Sequence, residues 1–361
     1  MLLHEHLENG ADKNPNFPFS EFEGNSLSYQ EANLLSNQLA NKLVSEGLEV
    51  GDRFAFLAKN CTEMAIMYYA ASKVGAVPVP LNYRLADQEW AYIINDSEAK
   101  LIIVKGNEYS DRINQISSEL KNVKKYISIS LDNSIEKFQD FYDWLSDSSN
   151  EKPTLKIHEN DDVYQMYTSG TTGHPKGAVL LQRNVAANIR QYLNSLTLPR
   201  PSRTLLVAPM YHAAAMINMC GCIAIGGTIV IQEDFIPQDV VDCLANEKIT
   251  HTVLVPAMIQ ACLVSVPNVA NNEYNDLDQI HYGASPIAPE TLKKAMDVFK
   301  CKFGQGFGMT ETVAVICLMT PEEHIRALNE KPELLKSCGR PAIDTQVEIR
   351  DENDNPLPIG E

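Results

Sequence analysis

The 361-residue sequence predicts an α/β fold with mostly parallel sheets and helices packed on their faces. Three observations carry that prediction. Short runs of β-branched and aliphatic residues recur along the chain, amphipathic stretches separate most of them, and glycine or proline marks the joins. Alternation of this kind requires crossover connections, which cover a sheet with helices. No internal repeat is present.

The elements follow in order. Ser28-Tyr-Gln-Glu31 has capping-box spacing and opens a helix with Leu35, Leu39 and Leu43 on one face and Gly47 at its end. Residues 53–59 (RFAFLAK) form a strand, and a helix runs from Thr62 to about Val74. Residues 75–82 are extended and proline-marked, and a helix over 87–96 leads to a strand over 100–106. The polar, acidic segment 106–162 holds one weak strand at 125–130 and otherwise surface connections. A strand at 162–169 feeds the stretch YTSGTTGHPKG (167–177), with a helix at 183–193 after it. Strands return at 203–208, 227–232, 251–255 and 279–283, and helices near 237–247, 256–266 and 288–300 separate most of them. Short strands are expected around Thr345–Arg350, then a turn at 351–356.

Composition narrows the function. Thirty Lys plus Arg against 47 Asp plus Glu leave a net charge of −17, which disfavours nucleic acid and anionic lipid as partners. Eight cysteines lie mostly in apolar runs without a CxxC pair, the pattern of buried free thiols in a reducing compartment. The first residues show no secretory signal, and no window is apolar enough for a membrane span, so a cytoplasmic location is expected.

The stretch 167–177 packs three glycines, four hydroxyls and Lys176 into eleven positions. Glycine lets the backbone approach a ligand closely, and the donors suit a multiply charged anion such as phosphate. It is not a Walker A loop, because Pro175 precedes the lysine and Gly177 follows it. A flexible surface turn is the alternative. In GQGFGMTET (304–312) the glycines are spaced by two, so the dinucleotide fingerprint fails at Met309. Phe307 offers a face for a purine, Thr310 a phosphate donor and Glu311 a hard oxygen for Mg²⁺; a tight turn with a core phenylalanine is the alternative.

YGASPI (282–287) lacks the last glycine of a nucleophile elbow, and Pro286 blocks its helix. No His/Cys spacing supports a zinc site. In PMYHAAAM (209–216), His212 directly follows a strand, where open α/β sheets place ligands, and Ala213–Ala215 leave room for an apolar chain. A histidine with a purely structural role is the alternative there.

YTSGTTGHPKG, YGASP and QGFGMTET, in this order and spacing, resemble the adenylate-forming enzymes, which include acyl-CoA synthetases, coumarate–CoA ligases and luciferase. ASKVGAVPVPLNYR (71–84), PMYHAAAM and SCGRPAIDTQVEIRDEN (337–353) extend the resemblance over nearly the whole chain. It implies two β-sheets flanked by helices in a layered αβαβα arrangement, plus a smaller β-barrel-like subdomain.

The resemblance also implies roles for residues. Thr168, Ser169, Gly170, Thr171, Thr172, Gly173 and Lys176 would enclose the ATP phosphates. Gly283, Ala284, Ser285 and Pro286 would line the adenine, with Gln305, Gly306, Phe307, Gly308, Met309 and Thr310 completing the nucleotide site. Thr168 and Glu311 would hold Mg²⁺, and His212 would sit where the acyl chain meets the nucleotide. Ala213, Met216, Gly283, Gly306 and Gly308 would join His212 in walling the acyl tunnel. Lys176, His212, Thr310 and Glu311 are the catalytic candidates.

The implied reaction is ATP-dependent activation of a carboxylic acid to an acyl-adenylate, followed by transfer to coenzyme A. No aspartate stands near PMYHAAAM to pair a substrate ammonium, so an amino acid is disfavoured. A medium- or long-chain fatty acid is expected, with an aryl or coumarate-like acid as alternative. Homodimerisation is left open. Family members continue past a Gly-Glu like Gly360-Glu361 to a ribose-binding aspartate, a hinge and a mobile C-terminal domain. Residues 1–361 therefore correspond to the N-terminal adenylation domain alone, expected to be largely inactive by itself. A nucleotide- or acyl-binding module without useful catalysis is the second reading.

Overall fold

A computed structural model describes residues 1–130, 135, 137–168, 173–194, 198–199 and 201–360. The first part of the chain contains α1 (Leu3–Lys13), β1 (Pro18–Phe22), β2 (Asn25–Ser28), α2 (Tyr29–Ser45), β3 (Arg53–Leu57), α3 (Thr62–Val74) and β4 (Val77–Leu81). Then come α4 (Asp87–Asp96), β5 (Leu101–Lys105), α5 (Asn107–Ile116), β6 (Lys125–Ile129), β7 (Phe138–Asp140) and α6 (Phe141–Leu145). The antiparallel pair β8 (Asp162–Thr168) and β9 (Lys176–Leu181) precedes α7 (Gln182–Asn194), β10 (Arg203–Leu206), α8 (Ala213–Ala224), β11 (Thr228–Ile231) and α9 (Pro237–Asn246). The last elements are β12 (His251–Val253), α10 (Pro256–Ser265), β13 (Gln279–Gly283), α11 (Pro289–Phe299), β14 (Lys302–Phe307), β15 (Cys317–Met319), α12 (Pro321–Asn329) and β16 (Arg340–Pro341).

Local chemistry explains the anticipated boundaries. At the start of α2 the Ser28 hydroxyl accepts from the Glu31 amide at 3.3 Å, and the Glu31 carboxylate accepts from the Ser28 amide at 2.8 Å. Gly75 closes α3 in the left-handed conformation at φ 72°, where a side chain would be strained.

Two sheets dominate. The larger has nine strands in the order β16-β15-β14-β13-β12-β10-β11-β1-β2, parallel from β14 to β1 and antiparallel at both edges. The smaller is a five-stranded parallel sheet, β4-β3-β5-β6-β7. Helices α1, α2, α3, α7 and α8 pack against one another, with α3 against β4 and α8 against β10 and β11. This places a shared helical layer between the sheets. Helices α4 and α5 cover the smaller sheet, and α9, α10 and α11 share a second apolar cluster with β10, β13 and β14. The expected α/β layering is therefore present. The third sheet is the two-stranded β8–β9 pair, packed by β8 beside edge strand β4; among the described residues no further strand joins it to make the expected barrel-like part.

Several elements escape local reading. Segment 106–162 contains α5, β7 and α6 in place of bare surface connections, because Ile113, Phe141, Trp144 and Leu145 are buried although widely spaced among polar residues. Helix α1 buries Leu3 and Leu7 and lies so close to α2 that a Cβ on Gly10 would come within 2.3 Å of the Tyr29 ring. Helix α8 is buried nearly all round, so it lacks the one-sided apolar stripe that marks a surface helix. The short strands expected at Thr345–Arg350 do not form, leaving only a bridge from Arg350 to Pro356 around the anticipated turn. Six cysteines are buried, Cys301 and Cys338 are half-buried, and all eight are free.

Candidate active site

The C-terminal ends of β10, β12, β13 and β14 open into a cavity of about 390 Å³. Its walls include His212, Ala213, Gly283, Ala284, Gly306, Gly308, Met309 and Thr310 from the motifs. Carboxyl ends of parallel strands leave room between crossover loops, which is the general ligand position of open α/β sheets. A larger cleft of about 690 Å³ lies at the junction of α1 and α7 and contains none of the motif residues.

The two-residue glycine spacing that defeats the dinucleotide fingerprint follows strand periodicity. Each glycine on β14 and its extension meets a different demand. A Cβ on Gly304 would come within 2.7 Å of the His281 ring, so this position seats that side chain. Gly306 faces open space in the cavity, with Val315 nearest at 3.7 Å. At Gly308 a Cβ would lie 1.4 Å from the Ala314 carbonyl oxygen, a separation no side chain can occupy. On β13, a Cβ on Gly283 would sit 2.4 Å from the Gly306 carbonyl oxygen. Along this wall of the cavity two backbones are therefore in close approach.

The adjoining turns are held in unusual conformations. Ala284 adopts φ 65° and Val313 adopts φ 69°, and a β-branched residue there is a genuine outlier. Residues Thr310–Thr312 form a single 3₁₀ turn, closed by the Met309 amide donating to the Thr312 hydroxyl at 3.0 Å. Glu311 is exposed on that turn, and strand β9 runs beside it.

Lys176, first residue of β9, is exposed, pairs in register with Thr168, and has no ion-pair partner among the described residues. The stem of the glycine loop is anchored on α4. His174 stacks on Tyr92 with centroids 4.6 Å apart, the Tyr92 hydroxyl donates to the Pro175 carbonyl at 3.3 Å, and Tyr167 donates to Asp96 at 2.6 Å. Ser169, Gly170, Thr171 and Thr172 lie outside the described residues. Gly173 has φ 126°, a backbone open essentially to glycine alone.

His212 caps the N-terminus of α8, with its ring 4.4 Å from that of Tyr211. It keeps surface exposure at the cavity mouth, yet the protein around it and the Arg84 charge lower its pKa, in that order of importance. The imidazole is therefore uncharged near neutral pH. Met309 lines the cavity and is exposed, Phe307 is exposed but outside the cavity lining, and Gln305 also lies outside it and accepts from the Tyr282 hydroxyl at 3.3 Å. Ser285 and Pro286 are exposed on the loop after Ala284. Met216 does not line the cavity; the winding of α8 carries it inward to Cys220, and Ala214, Ala215 and Ile217 take the wall beside Ala213.

Sequence reasoning missed Tyr192, Val253, Val255, His281, Ala314 and Val315, all of which line the cavity. None belongs to a recognisable motif, though His281 directly precedes YGASP.

The strand-end cavity takes part of its wall from Thr310, and β9, which starts at Lys176, runs beside the Thr310–Thr312 turn. The chain belongs to the AMP-binding enzyme family, which it matches over residues 7–361. It is 29% identical over 326 residues to the long-chain-fatty-acid–CoA ligase FadD13 of Mycobacterium tuberculosis, covering 90% of this chain and 61% of that protein. It is 29% identical over 339 residues to the feruloyl-CoA synthase of an Amycolatopsis species, covering 94% of this chain and 64% of that one. The inhibitor-bound N-terminal domain of FACL13 from Mycobacterium tuberculosis superposes with a TM-score of 0.88 at 25% identity, over 99% of this chain and 86% of that one. The chain thus spans less than two thirds of the length of these two curated relatives. Among the described residues, no helix is long and apolar enough to cross a membrane.

Proposed function

We propose that residues 1–361 form an adenylation domain that binds ATP and a carboxylic acid side by side and joins them as an acyl-adenylate. The observation that carries this reading is one cavity whose mouth holds Thr310, Ala284 and His212 and whose interior is walled by alanine, valine and glycine. A carboxylate repels ATP and is a poor electrophile, so the site must hold two anions in line and offset charge at the α-phosphorus. The substrate carboxylate oxygen attacks that phosphorus, the bond to the β-phosphate oxygen breaks, and pyrophosphate leaves.

Lys176 and the loop 168–173 cradle the departing phosphates, Thr310 donates to the α-phosphate, and Phe307 with Gly283–Pro286 receives the adenine. The uncharged His212 meets the acyl carboxyl without locking it in an ion pair. Thr168 and Glu311 would hold Mg²⁺. One hydroxyl and one exposed carboxylate suit an ion that takes most of its ligands from phosphate and water. Bound there, Mg²⁺ would neutralise phosphate charge. Positioning supplies much of the acceleration. FadD13 and feruloyl-CoA synthase are named for coenzyme A, which is proposed as the thiol acceptor here too.

The test is calorimetric titration with MgATP and with an acyl-sulfamoyl adenosine, followed by mass spectrometry for acyl-adenylate. Mutually exclusive binding and a detected adenylate support the reading. Failure of both ligands to bind refutes it, and binding without adenylate reduces the chain to a nucleotide-binding module.

A further inference from the structure

Two side-chain amides on α7, Asn188 and Gln191, are both buried and lie one helical turn apart. Nδ2 of Asn188 donates to the Val315 carbonyl at 2.7 Å and to Oε1 of Gln191 at 2.8 Å. Its Oδ1 accepts from the Val315 amide at 3.2 Å. Nε2 of Gln191 donates to the Ile343 carbonyl at 3.0 Å and to the Thr345 hydroxyl at 2.9 Å. Each amide nitrogen carries two protons, and each proton has an acceptor. The Val315 backbone also fixes the direction of the Asn188 amide, since turning it over would set nitrogen against N–H and oxygen against C=O. Asn188 thus exchanges both bonds with a single residue, as a neighbouring strand would.

The chain just before Val315 needs such a hold. Val313 adopts φ 69° and ψ −64°, and the Ala314 amide donates back to the Thr312 carbonyl at 2.9 Å. This is a γ-turn of the rare, strained hand, and a buried β-branched residue persists there only where its surroundings impose it. The Val313 amide donates to the Thr310 carbonyl at 3.0 Å, so a shift at Val315 passes directly to Thr310 and Glu311. On the other side the Ile316 amide donates to the Phe307 carbonyl at 2.8 Å, which ties the same segment to β14. Neither Asn188 nor Gln191 lines the cavity, so any effect they have on the site travels through Val315.

We infer that Asn188 is a positioning residue for adenylate formation, holding the Thr310–Glu311 turn in its strained conformation through Val315, and that Gln191 extends this hold to Ile343–Thr345. A fully satisfied buried network is rigid and a half-satisfied one is costly, so the two amides act as a unit. What they protect is the placement of Glu311, the carboxylate proposed for Mg²⁺. Groups that orient metal ligands are typically worth about 10–100-fold in metal affinity or activity. This inference rests on the adenylate-forming reading and names what positions that site.

The test is calorimetric titration of the whole chain with ATP, once with Mg²⁺ and once with EDTA. The ratio of the two affinities is the factor by which Mg²⁺ strengthens nucleotide binding. Asn188→Leu keeps the approximate size of the side chain and removes its three hydrogen bonds, so that factor should fall about tenfold. In Gln191→Leu the factor should fall less, because both Val315 bonds remain. A merely structural role would lower Tm and weaken the two titrations alike, leaving the factor unchanged. Should Asn188→Leu misfold on a melting scan, Gln191→Leu, whose side chain bonds no residue of the turn, decides in its place. An unchanged factor in a folded variant, or a wild-type factor near one, overturns the inference while leaving nucleotide binding standing. Failure of wild type to bind ATP under either condition overturns the adenylate-forming reading as well.

Discussion

Gly308→Ala separates a glycine needed for space from one needed for backbone freedom. Gly308 is not among the glycines with positive φ, so alanine meets no torsional objection. The objection is steric. The new Cβ would lie 1.4 Å from the Ala314 carbonyl oxygen and 2.5 Å from its carbon, against 3.4–4 Å for ordinary contact. The two backbones must part by about 2 Å, and overpacking of this kind costs roughly 1–3 kcal/mol. For a chain of this length the unfolding entropy is about 0.8 kcal/mol per kelvin, so a loss near 2 kcal/mol lowers Tm by roughly 3 °C.

Ala314 and Val315 line the cavity and follow the turn that carries Thr310, so the same displacement misplaces the α-phosphate donor. Misplacement on the order of 1 Å costs about 10²-fold in a reaction that depends on positioning. Scanning calorimetry and mass-spectrometric adenylate yield measure the two effects. Gly306→Ala is the control. Its Cβ would meet nothing nearer than Val315 at 3.7 Å, so Tm should stay close to wild type while acyl-analogue binding weakens from the added wall. A Gly308→Ala protein that melts and binds like wild type would refute the reasoning, as would a Gly306→Ala protein that is the less stable of the two.

Other outcomes follow from single contacts. Lys176→Ala should weaken MgATP binding at least tenfold in titration with no change in Tm, because the side chain is exposed and forms no ion pair among the described residues. His251 and His281 have folded pKa values near 3 against an ordinary 6.5, from burial in each case, so the unfolded chain binds the extra protons. Stability present above pH 6.5 should therefore fall as the pH drops, by about 2 kcal/mol per histidine at pH 5 in urea titrations; an unchanged midpoint between pH 7 and 5 would contradict their burial as neutral rings. Glu21 accepts twice from Arg203 at 2.8 Å, which holds its carboxyl below the ordinary range. Glu21→Gln should cost about 1 kcal/mol at pH 7, a loss that shrinks as the wild-type carboxylate is itself protonated below pH 4.5. Tyr29→Phe leaves the Gly227 carbonyl without its 2.7 Å donor and should cost about 1–2 kcal/mol in the same assay.

Much of this was legible in the linear sequence because the physics involved is local. The capping box at Ser28–Glu31, the left-handed Gly75 and the apolar strand runs each report their own conformation from a few neighbouring residues. The glycines, hydroxyls and lysine of YTSGTTGHPKG likewise point by composition to a phosphate-type ligand, which is the reading proposed for that loop. Residue spacing alone also announced the two-residue glycine rhythm of β14.

Only the tertiary structure decided what that rhythm is for. Gly308 owes its identity to a carbonyl six residues later, and Gly283 to one on the neighbouring strand. His281 looked like an ordinary strand residue, and only the fold brings Gln279, Gly304 and Tyr192 around its ring at the cavity wall. Met216 read as cavity lining and turned inward, because the winding of α8 sets its direction. Close backbone approach and side-chain direction depend on partners distant in sequence, and no local window contains them.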